Sequence, residues 1–343
     1  MLRAIELAAR ATNTTHPNPR VGCVLVHNET VVGEGYHQAF GGPHAEVEAL
    51  AQAGDAAKGA DCYVSLEPCS HTGKTPPCAD ALIAAGVRRV VAATVDPNPQ
   101  VAGSGLDRLR QAGITVECGL LESEARAVSP GFFSHIERQR PFVRLKLAIS
   151  LDGRIARSDG VSQWITGSEA REEGHRWRAR SDLIVTGAGT VRHDDPSLTV
   201  RLSGAQYKQP QRMVLTRSRG DLPADSRLLQ KGERTLVANA VDDDAWSLPT
   251  ADKDRVDLPA LMGRVSEQGF REVHVEAGGV LAGSLLEQGL VDELLLFQAP
   301  VLLGEHGLPM LQLGSERSLE LAPRLTEVER KQCGVDWFVR YRV

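Results

Sequence analysis

The chain has 343 residues, more than one ordinary core serves, and at roughly 150 residues per domain it reads as two domains. Hydrophobic residues make up 42% and charged residues 24%, the balance of a soluble globular protein, and no run approaches the roughly 20 apolar residues that span a bilayer. A formal net charge of −5 with no basic stripe argues against a nucleic-acid or membrane partner and leaves a small molecule as the expected one.

The opening MLRAIELAARATNTTHPNP reads as a short amphipathic helix with Leu2, Ile5, Ala8 and Ala9 on one face. It has neither the apolar core nor the cleavage site of a secretory signal, so a cytoplasmic protein is expected. Six cysteines are too sparse for a disulfide scaffold, and a close pair is better suited to metal. VGCVLVHN (21–28) and VVGEGYH (31–37) predict a hairpin turning at His27-Asn28-Glu29-Thr30. HAEVEALAQAG (44–54) has helical spacing and stops at Gly54. DCYVSLEP (61–68) is an apolar strand, and PPCADALIAAG (76–86) opens with proline and closes with glycine as helices do. RVVAATVDP (89–97) and ITVECG (114–119) are further strands. Residues 1–120 are therefore expected to form a layered α/β/α sandwich.

LESEARAVSPGFFSHIERQRP (121–141) is helical but broken at Ser129-Pro130-Gly131, which makes it the expected linker. From 142 to 343 a second α/β domain is expected. Its strands are FVRLKLAIS (142–150), DLIVTGAG (182–189), RMVLT (212–216), RTLVANA (234–240), REVHVEAGG (271–279) and VDELLLFQAPVLLG (291–304). Helical patterns near 168–180, 258–268 and 280–288 separate several of them, and 217–232 and 241–257 read as loops.

Three pieces of the first domain carry metal chemistry. Pro43-His44-Ala45-Glu46 opens a helix, Glu67-Pro68-Cys69 ends a strand, and Pro77-Cys78 opens the next helix. One imidazole and two thiolates suit zinc and leave its fourth position for water, the mark of a catalytic site. Zinc brings that water's pKa to about 7, giving a hydroxide nucleophile at neutral pH. Glu46, two residues beyond His44, reaches the water without ligating the metal and is the expected proton carrier. A structural zinc would need a fourth protein ligand, for which His71 is the nearby candidate; Cys23, Cys62, Cys118 and Cys333 read as core or incidental.

His-x-Glu followed by Pro-Cys and a second Cys is the signature of zinc deaminases. Here eight residues, SHTGKTPP, separate Cys69 from Cys78. PCSHTGKTPPC, with HPNPRVGCV before it and DPNPQVAGSG after it, closely resembles the bifunctional riboflavin-biosynthesis deaminase/reductase family. LKLAISLDGRIA, SQWITG, TGAGTVRHDDPSLTVR and VEAGGVLAGSLL look like that family's reductase half, so the resemblance covers nearly the whole chain. It implies a cytidine-deaminase-like domain followed by a dihydrofolate-reductase-like domain that uses NADPH. It also implies a homo-oligomer and the substrate 2,5-diamino-6-(5-phosphoribosylamino)pyrimidin-4-one. Deamination and then reduction of the ribosyl side chain would yield 5-amino-6-(5-phosphoribitylamino)uracil.

In the first domain Asn18, His37 and Lys74 are the expected substrate contacts, with Lys74 reading equally as a solvated loop lysine. In the second, the resemblance assigns NADP contacts to Ala148, Trp164, Thr190, Asp194, Gly278, Gly279, Val280, Leu281, Ala282, Gly283 and Ser284. Ser218 joins them although RSRG departs from the family's usual Asp-Ser step. Substrate contacts fall to Ser162, Arg178, Leu198, Arg201 and Glu276, with Lys146 set to meet the opened sugar. Two other readings stay open: a nucleoside or tRNA deaminase with an idle second domain, and a zinc-stabilised module that senses a phosphoribosyl ligand without turning it over.

Overall fold

The computed structural model describes the chain apart from residues 72–75, 204–206, 231–234, 244, 251–253, 315–317 and 321. The chain divides into two compact units, Met1–Gln139 and Arg140–Val343.

In the first unit the order is α1 (Leu2–Ala9), β1 (Gly22–His27), β2 (Thr30–Tyr36), α2 (Ala45–Ala53), β3 (Asp61–Val64), α3 (Cys78–Ala84), β4 (Arg89–Ala92), α4 (Ser104–Gln111), β5 (Thr115–Cys118), α5 (Glu122–Val128) and α6 (Pro130–Arg138). Among the described residues the strands make one sheet in the order β2-β1-β3-β4-β5. β1 pairs antiparallel with both neighbours, and β3, β4 and β5 run parallel. The hairpin turns where expected, with Asn28 (φ 49°) and Glu29 (φ 64°) both left-handed, the twist a two-residue hairpin loop requires.

Strand alternation builds the sandwich. Cys23 and Leu25 of β1 pack with Ala45 and Ala49 of α2, Leu82 of α3, and Leu106 and Leu109 of α4. Val24, pointing the other way, meets Ala4 and Leu7 of α1. A Cβ on Gly22 would lie 2.0 Å from the Ala4 carbonyl oxygen, so only glycine lets α1 rest on the strand. The structure corrects the face assigned to α1. Ala4, Ile5, Leu7 and Ala8 are buried, whereas Leu2 is 63% exposed and Ala9 is also exposed. The cause is remote in sequence: Ile5 and Ala8 pack on Ala93 and on Ala125 and Val128 of α5, which widens the buried stripe.

The 121–141 stretch, read as a linker, forms α5 and α6 within the first unit. Buried Ser129 receives a hydrogen bond from the Arg20 amide (2.6 Å), and the Arg20 guanidinium donates to the Val128 carbonyl (2.8 Å). Helix α4 was not expected. SGLDRLRQ supplies two large apolar residues, both buried, and otherwise reads as polar loop.

The second unit runs β6 (Phe142–Ile149), β7 (Arg154–Ala156), α7 (Ser168–Arg180), β8 (Leu183–Gly187), α8 (Ala188–Asp194), β9 (Gln211–Leu215), β10 (Thr235–Ala238), α9 (Leu258–Glu267), β11 (Glu272–Glu276), α10 (Gly279–Glu287), β12 (Glu293–Gln298), β13 (Leu308–Pro309), β14 (Thr326–Cys333) and β15 (Asp336–Arg342). Among the described residues a sheet ordered β10-β9-β8-β11-β6-β12-β15-β14 is parallel as far as β12 and antiparallel beyond it, and β13 pairs with β7 apart from it. The β14-β15 hairpin escaped the sequence reading because β14, TEVERKQC, is an edge strand and half charged.

This sheet has two unlike faces. Val143, Leu145, Leu147, Val273, Val275 and Leu294 turn toward α9 and α10, where Leu261, Val265, Ala282 and Leu285 meet them. Their strand neighbours turn the other way, so that Arg144, Lys146 and Ala148 of β6 stand in register beside His274 and Glu276 of β11 and Glu293 and Phe297 of β12. Arg144, 2% exposed, donates to Glu272 and to Glu293 (2.8 Å), with its guanidinium 5.2 Å from the Trp177 ring of α7. Arg144→Met is expected to take this counter-ion from buried Glu272, while Glu293 keeps Arg340 (3.0 Å), and to cost about 3–5 kcal/mol of stability. All four tryptophans lie in this unit, so urea unfolding followed by their fluorescence reads it directly. An unchanged midpoint would remove Arg144 as the keystone of this face.

Candidate functional site

The three sequence-predicted ligands meet. His44 caps α2, Cys69 follows the β3 segment, and Cys78 is the first residue of α3, so each stands where the chain reverses at one end of the sheet. Their donor atoms all lie within 4.8 Å of one another. Nδ1 of His44 is 3.2 Å from the Cys78 sulfur and 3.7 Å from the Cys69 sulfur. A tetrahedral zinc with ordinary Zn–N and Zn–S bonds sets nitrogen-to-sulfur edges of about 3.6 Å, so the donor set fits that ion. His71 is exposed and outside the cluster, which among the described residues leaves three ligands. The amide of Cys78 donates to the Cys69 sulfur (3.3 Å). Hydrogen bonding from Cys78 and from His44 brings the Cys69 thiol down to about 4 against the opposing effect of burial, while Cys78 is pushed up.

Glu46 lies in the first turn of α2, 3% exposed and outside the donor set. Burial, the largest influence, pushes its carboxyl up to about 7. Asn18 and His37 lie beside the cluster and are bonded to each other: the Asn18 amide nitrogen is 3.3 Å from His37 Nε2. His37 Nδ1 is 2.9 Å from the carbonyl of Pro43, the residue before the ligand, and the His37 and His44 rings meet edge to face at 5.3 Å. Burial lowers the His37 pKa, which keeps the ring neutral with its proton on Nδ1 toward Pro43. Lys74 lies outside the described residues.

Sequence reasoning missed the part played by Glu67. Its buried carboxylate accepts from the amides of Asp96 (3.0 Å), Gly103 (2.9 Å) and Gly105 (2.8 Å), tying the DPNPQVAGSG segment to the strand end that carries Cys69. A lone acid beside an apolar strand was the available signal. Cys23 and Cys62 are buried with sulfurs 3.5 Å apart, Cys118 is exposed, and Cys333 is half-buried.

In the second unit a cleft of about 1020 Å³ opens over the polar sheet face. Its walls include Ala148, Trp164, Thr190, Asp194, Gly278, Gly279, Val280, Leu281 and Ser284, together with Lys146, Ser162, Arg178, Leu198, Arg201 and Glu276. Three expected cofactor residues are not among its walls. Ala282 is buried in the core, and a Cβ on Gly283 would come within 2.0 Å of the Gln312 carbonyl oxygen, because the rotation of α10 turns both away. Ser218 instead caps a short turn, donating to Asp242 (3.0 Å) and accepting from Gly220 (3.3 Å).

At the cleft's centre Arg178 grips Glu276 with two donors, Nη2 lying 2.9 Å from Oε2 and Nε bonding Oε1, and donates from Nη1 to the Thr199 carbonyl (2.9 Å). Burial alone would raise the Glu276 pKa, but Arg178, His274 and Lys146 together hold it well below the usual carboxylate range. Burial lowers the Lys146 pKa from its usual value. Arg201 donates to the Thr199 hydroxyl (3.2 Å), and its amide donates to Nδ1 of His175 (3.3 Å). Burial and the two flanking arginines bring His175 down to about 4. His175 was not singled out in the sequence, although it precedes Arg178 by one helical turn on α7. Ser162 donates to Asp194 (2.8 Å), joining a substrate candidate to a cofactor candidate. Trp164 is 67% exposed, with the Arg171 guanidinium 4.6 Å over its ring.

Comparison with known proteins agrees with this division. Residues 1–94 match the family of the cytidine and deoxycytidylate deaminase zinc-binding region, and residues 141–339 match the RibD C-terminal domain. The chain is 47% identical over 353 residues to riboflavin biosynthesis protein RibD of Escherichia coli (strain K12), covering 98% of this chain and 96% of that one. Acinetobacter baumannii RibD, form 1, superposes with a TM-score of 0.89 at 41% identity, covering 99% of this chain and 97% of that one. A diaminohydroxyphosphoribosylaminopyrimidine deaminase/5-amino-6-(5-phosphoribosylamino)uracil reductase from Thermotoga maritima gives 0.88 at 33% identity, covering 100% of this chain and 97% of that one. With a deaminase-type metal cluster in one unit and the RibD reductase sheet in the other, the chain belongs to the RibD family of bifunctional riboflavin-biosynthesis enzymes.

Proposed function

We propose that His44, Cys69 and Cys78 hold zinc, that Glu46 moves the protons of pyrimidine deamination, and that the second unit's cleft then reduces the ribosyl chain. One observation carries the reading: an imidazole nitrogen and two sulfurs converge beside a buried carboxylate that is not one of the donors. Zinc, when bound, supplies Lewis-acid activation of the attacking water. Glu46 takes that water's proton and passes protons to the ring nitrogen and to the departing ammonia, so that the C–NH2 group is exchanged for C=O. His37, neutral and bonded to Pro43, steadies the loop that presents His44. The Asn18 amide nitrogen is used by His37, which leaves its carbonyl oxygen to accept from the pyrimidine.

In the second unit Arg178 and Arg201 are the phosphate ligands, their planar forks matching phosphate oxygens. Glu276 accepts from the substrate's donors, and Lys146 beside it meets the opened sugar. NADPH, when bound, supplies the hydride. Gly278 and Gly279, at the start of α10, offer backbone N–H groups to a cofactor phosphate. Ala148, Trp164, Thr190, Asp194 and Ser284 line the remainder of that side. Among the described residues no helix is long and apolar enough to cross a membrane. The sparse cysteines support a cytoplasmic protein, and the family resemblance supports a homo-oligomer.

Supplied with 2,5-diamino-6-(5-phosphoribosylamino)pyrimidin-4-one, the enzyme is expected to give one product without NADPH and a second, reduced one with it; a single product in both cases overturns the two-step reading. Glu46→Gln is expected to retain its zinc by metal analysis and to slow ammonia release about 100- to 10,000-fold. Undiminished release would take Glu46 out of the mechanism. Removing zinc by chelation should stop ammonia release yet spare NADPH oxidation on the deaminated intermediate. Arg178→Ala should raise the KM of the second step about tenfold or more, as bonds to charged groups are worth roughly 1.5–3 kcal/mol, with ammonia release unchanged. Loss of both activities contradicts that assignment.

A further inference from the structure

One buried histidine in the second unit is not accounted for by the chemistry above. His274 lies in the middle of β11, 0% exposed, between Glu272 and Glu276 on the polar face of the sheet. Its register partners are Arg144 on β6 and Ile184 on β8. Nε2 is 3.2 Å from Oε1 of Glu276, the same oxygen that Arg178 Nε holds. The contact lacks the alignment of a hydrogen bond, and among the described residues neither ring nitrogen has an aligned partner. A buried imidazole in that condition forgoes bonds that water would have made. A phenyl ring would fill the space without that penalty, so the polar ring calls for a functional reason.

We infer that His274 is a positioning residue for the reductase step: its Nε2–H takes over Glu276 when substrate phosphate draws Arg178 away. The inference rests on the roles given above to Arg178 and Glu276. Arg178 commits its Nε/Nη2 edge to Glu276 and one Nη1 N–H to Thr199, so a phosphate that takes this guanidinium competes with Glu276 for its charge and for Nη2. Phosphate binding that draws the guanidinium toward itself loosens that pair and leaves a buried carboxylate in need of another donor. Two groups stand ready to answer it, Lys146 from β6 and His274 from below on its own strand. The ring is held neutral by burial and by the nearby Arg178 and Lys146 cations, against the pull of Glu276, so it can donate from Nε2 without adding a third positive charge. An idle donor 3.2 Å away needs only a small rotation to bond the freed Oε1. Glu276 is thereby kept facing the substrate.

The test uses the full-length enzyme with the deaminated intermediate and NADPH. His274→Phe keeps a ring and removes the donor; His274→Gln keeps a donor in a flexible side chain. His274→Phe is expected to raise the intermediate's KM at least fivefold, with NADPH binding by fluorescence titration and ammonia release unchanged. His274→Gln is expected to recover to within about twofold of the parent. Parent-like KM in both variants overturns the inference, as does equal impairment of both with a lowered Tm, which marks a packing role. Glu276→Gln separates the two levels. If it raises the KM while His274→Phe does not, the histidine inference alone fails. If it leaves the KM unchanged, the assignment of Glu276 fails, and the inference with it.

Discussion

A carboxylate taken out of water must be answered by a proton or by an opposite charge, and each unit is organised round one that is. In the first, burial pushes the Glu46 carboxyl up to about 7, so that a proton answers it at and below neutral pH. In the second, Glu276 is answered by Arg178 and Lys146, which overcome the same burial and keep it ionised. The opposite outcomes suit opposite tasks. A group that must both accept and release protons works best with a pKa near the operating pH, whereas one that must accept hydrogen bonds works best charged.

The surrounding architecture follows from keeping these groups in place. In the first unit the ligands sit at chain reversals, where no strand or helix ladder occupies the backbone and Cys69 can receive the Cys78 amide. Glu67 then fixes the reversal by binding four amides, of Asp96 and Gly103 in the next loop and of Gly105 and Leu106 in α4, so this edge is held by a second buried carboxylate outside the donor set. In the second unit the period-two alternation of β6 and β11 does the equivalent work. One face, valine, leucine and isoleucine, is locked under α9 and α10, and that leaves the other free to carry arginine, lysine, histidine and glutamate under α7.

What was legible in the sequence is what is local. The convergence of His44, Cys69 and Cys78 near buried Glu46, and the hairpin at Asn28-Glu29, come from short segments whose residue types specify their own conformation. Ala282, Gly283 and Ser218 were carried over as a contiguous run or a fixed offset, but a helix turns successive residues to different sides and a short cap redirects a hydroxyl. The buried face of α1 was misjudged because its second partner, α5, is more than a hundred residues away. Helix α4 and edge strand β14 were invisible for the reverse reason: too few of their residues are buried to leave a periodic trace. His175 and His274 acquire meaning only from neighbours on other elements, α7 against the 199–201 loop and β11 against β6 and α7.

The acidic net charge of the chain and its affinity for an anionic substrate are reconciled by the same geometry. Long-range charge sets the surface potential, which salt screens within about 10 Å, whereas a cleft is governed by the groups inside it. Arg178, Arg201 and His175 crowd together near Thr199, where burial, reinforced by the two arginines, brings the histidine down to about 4. Such mutual repulsion is tolerable because Glu276 offsets part of it, and a dianionic phosphate would relieve more. The cationic pocket is thus prepared for an anion before one arrives, and Glu276, the carboxylate that offsets part of its charge, shares Arg178 with it.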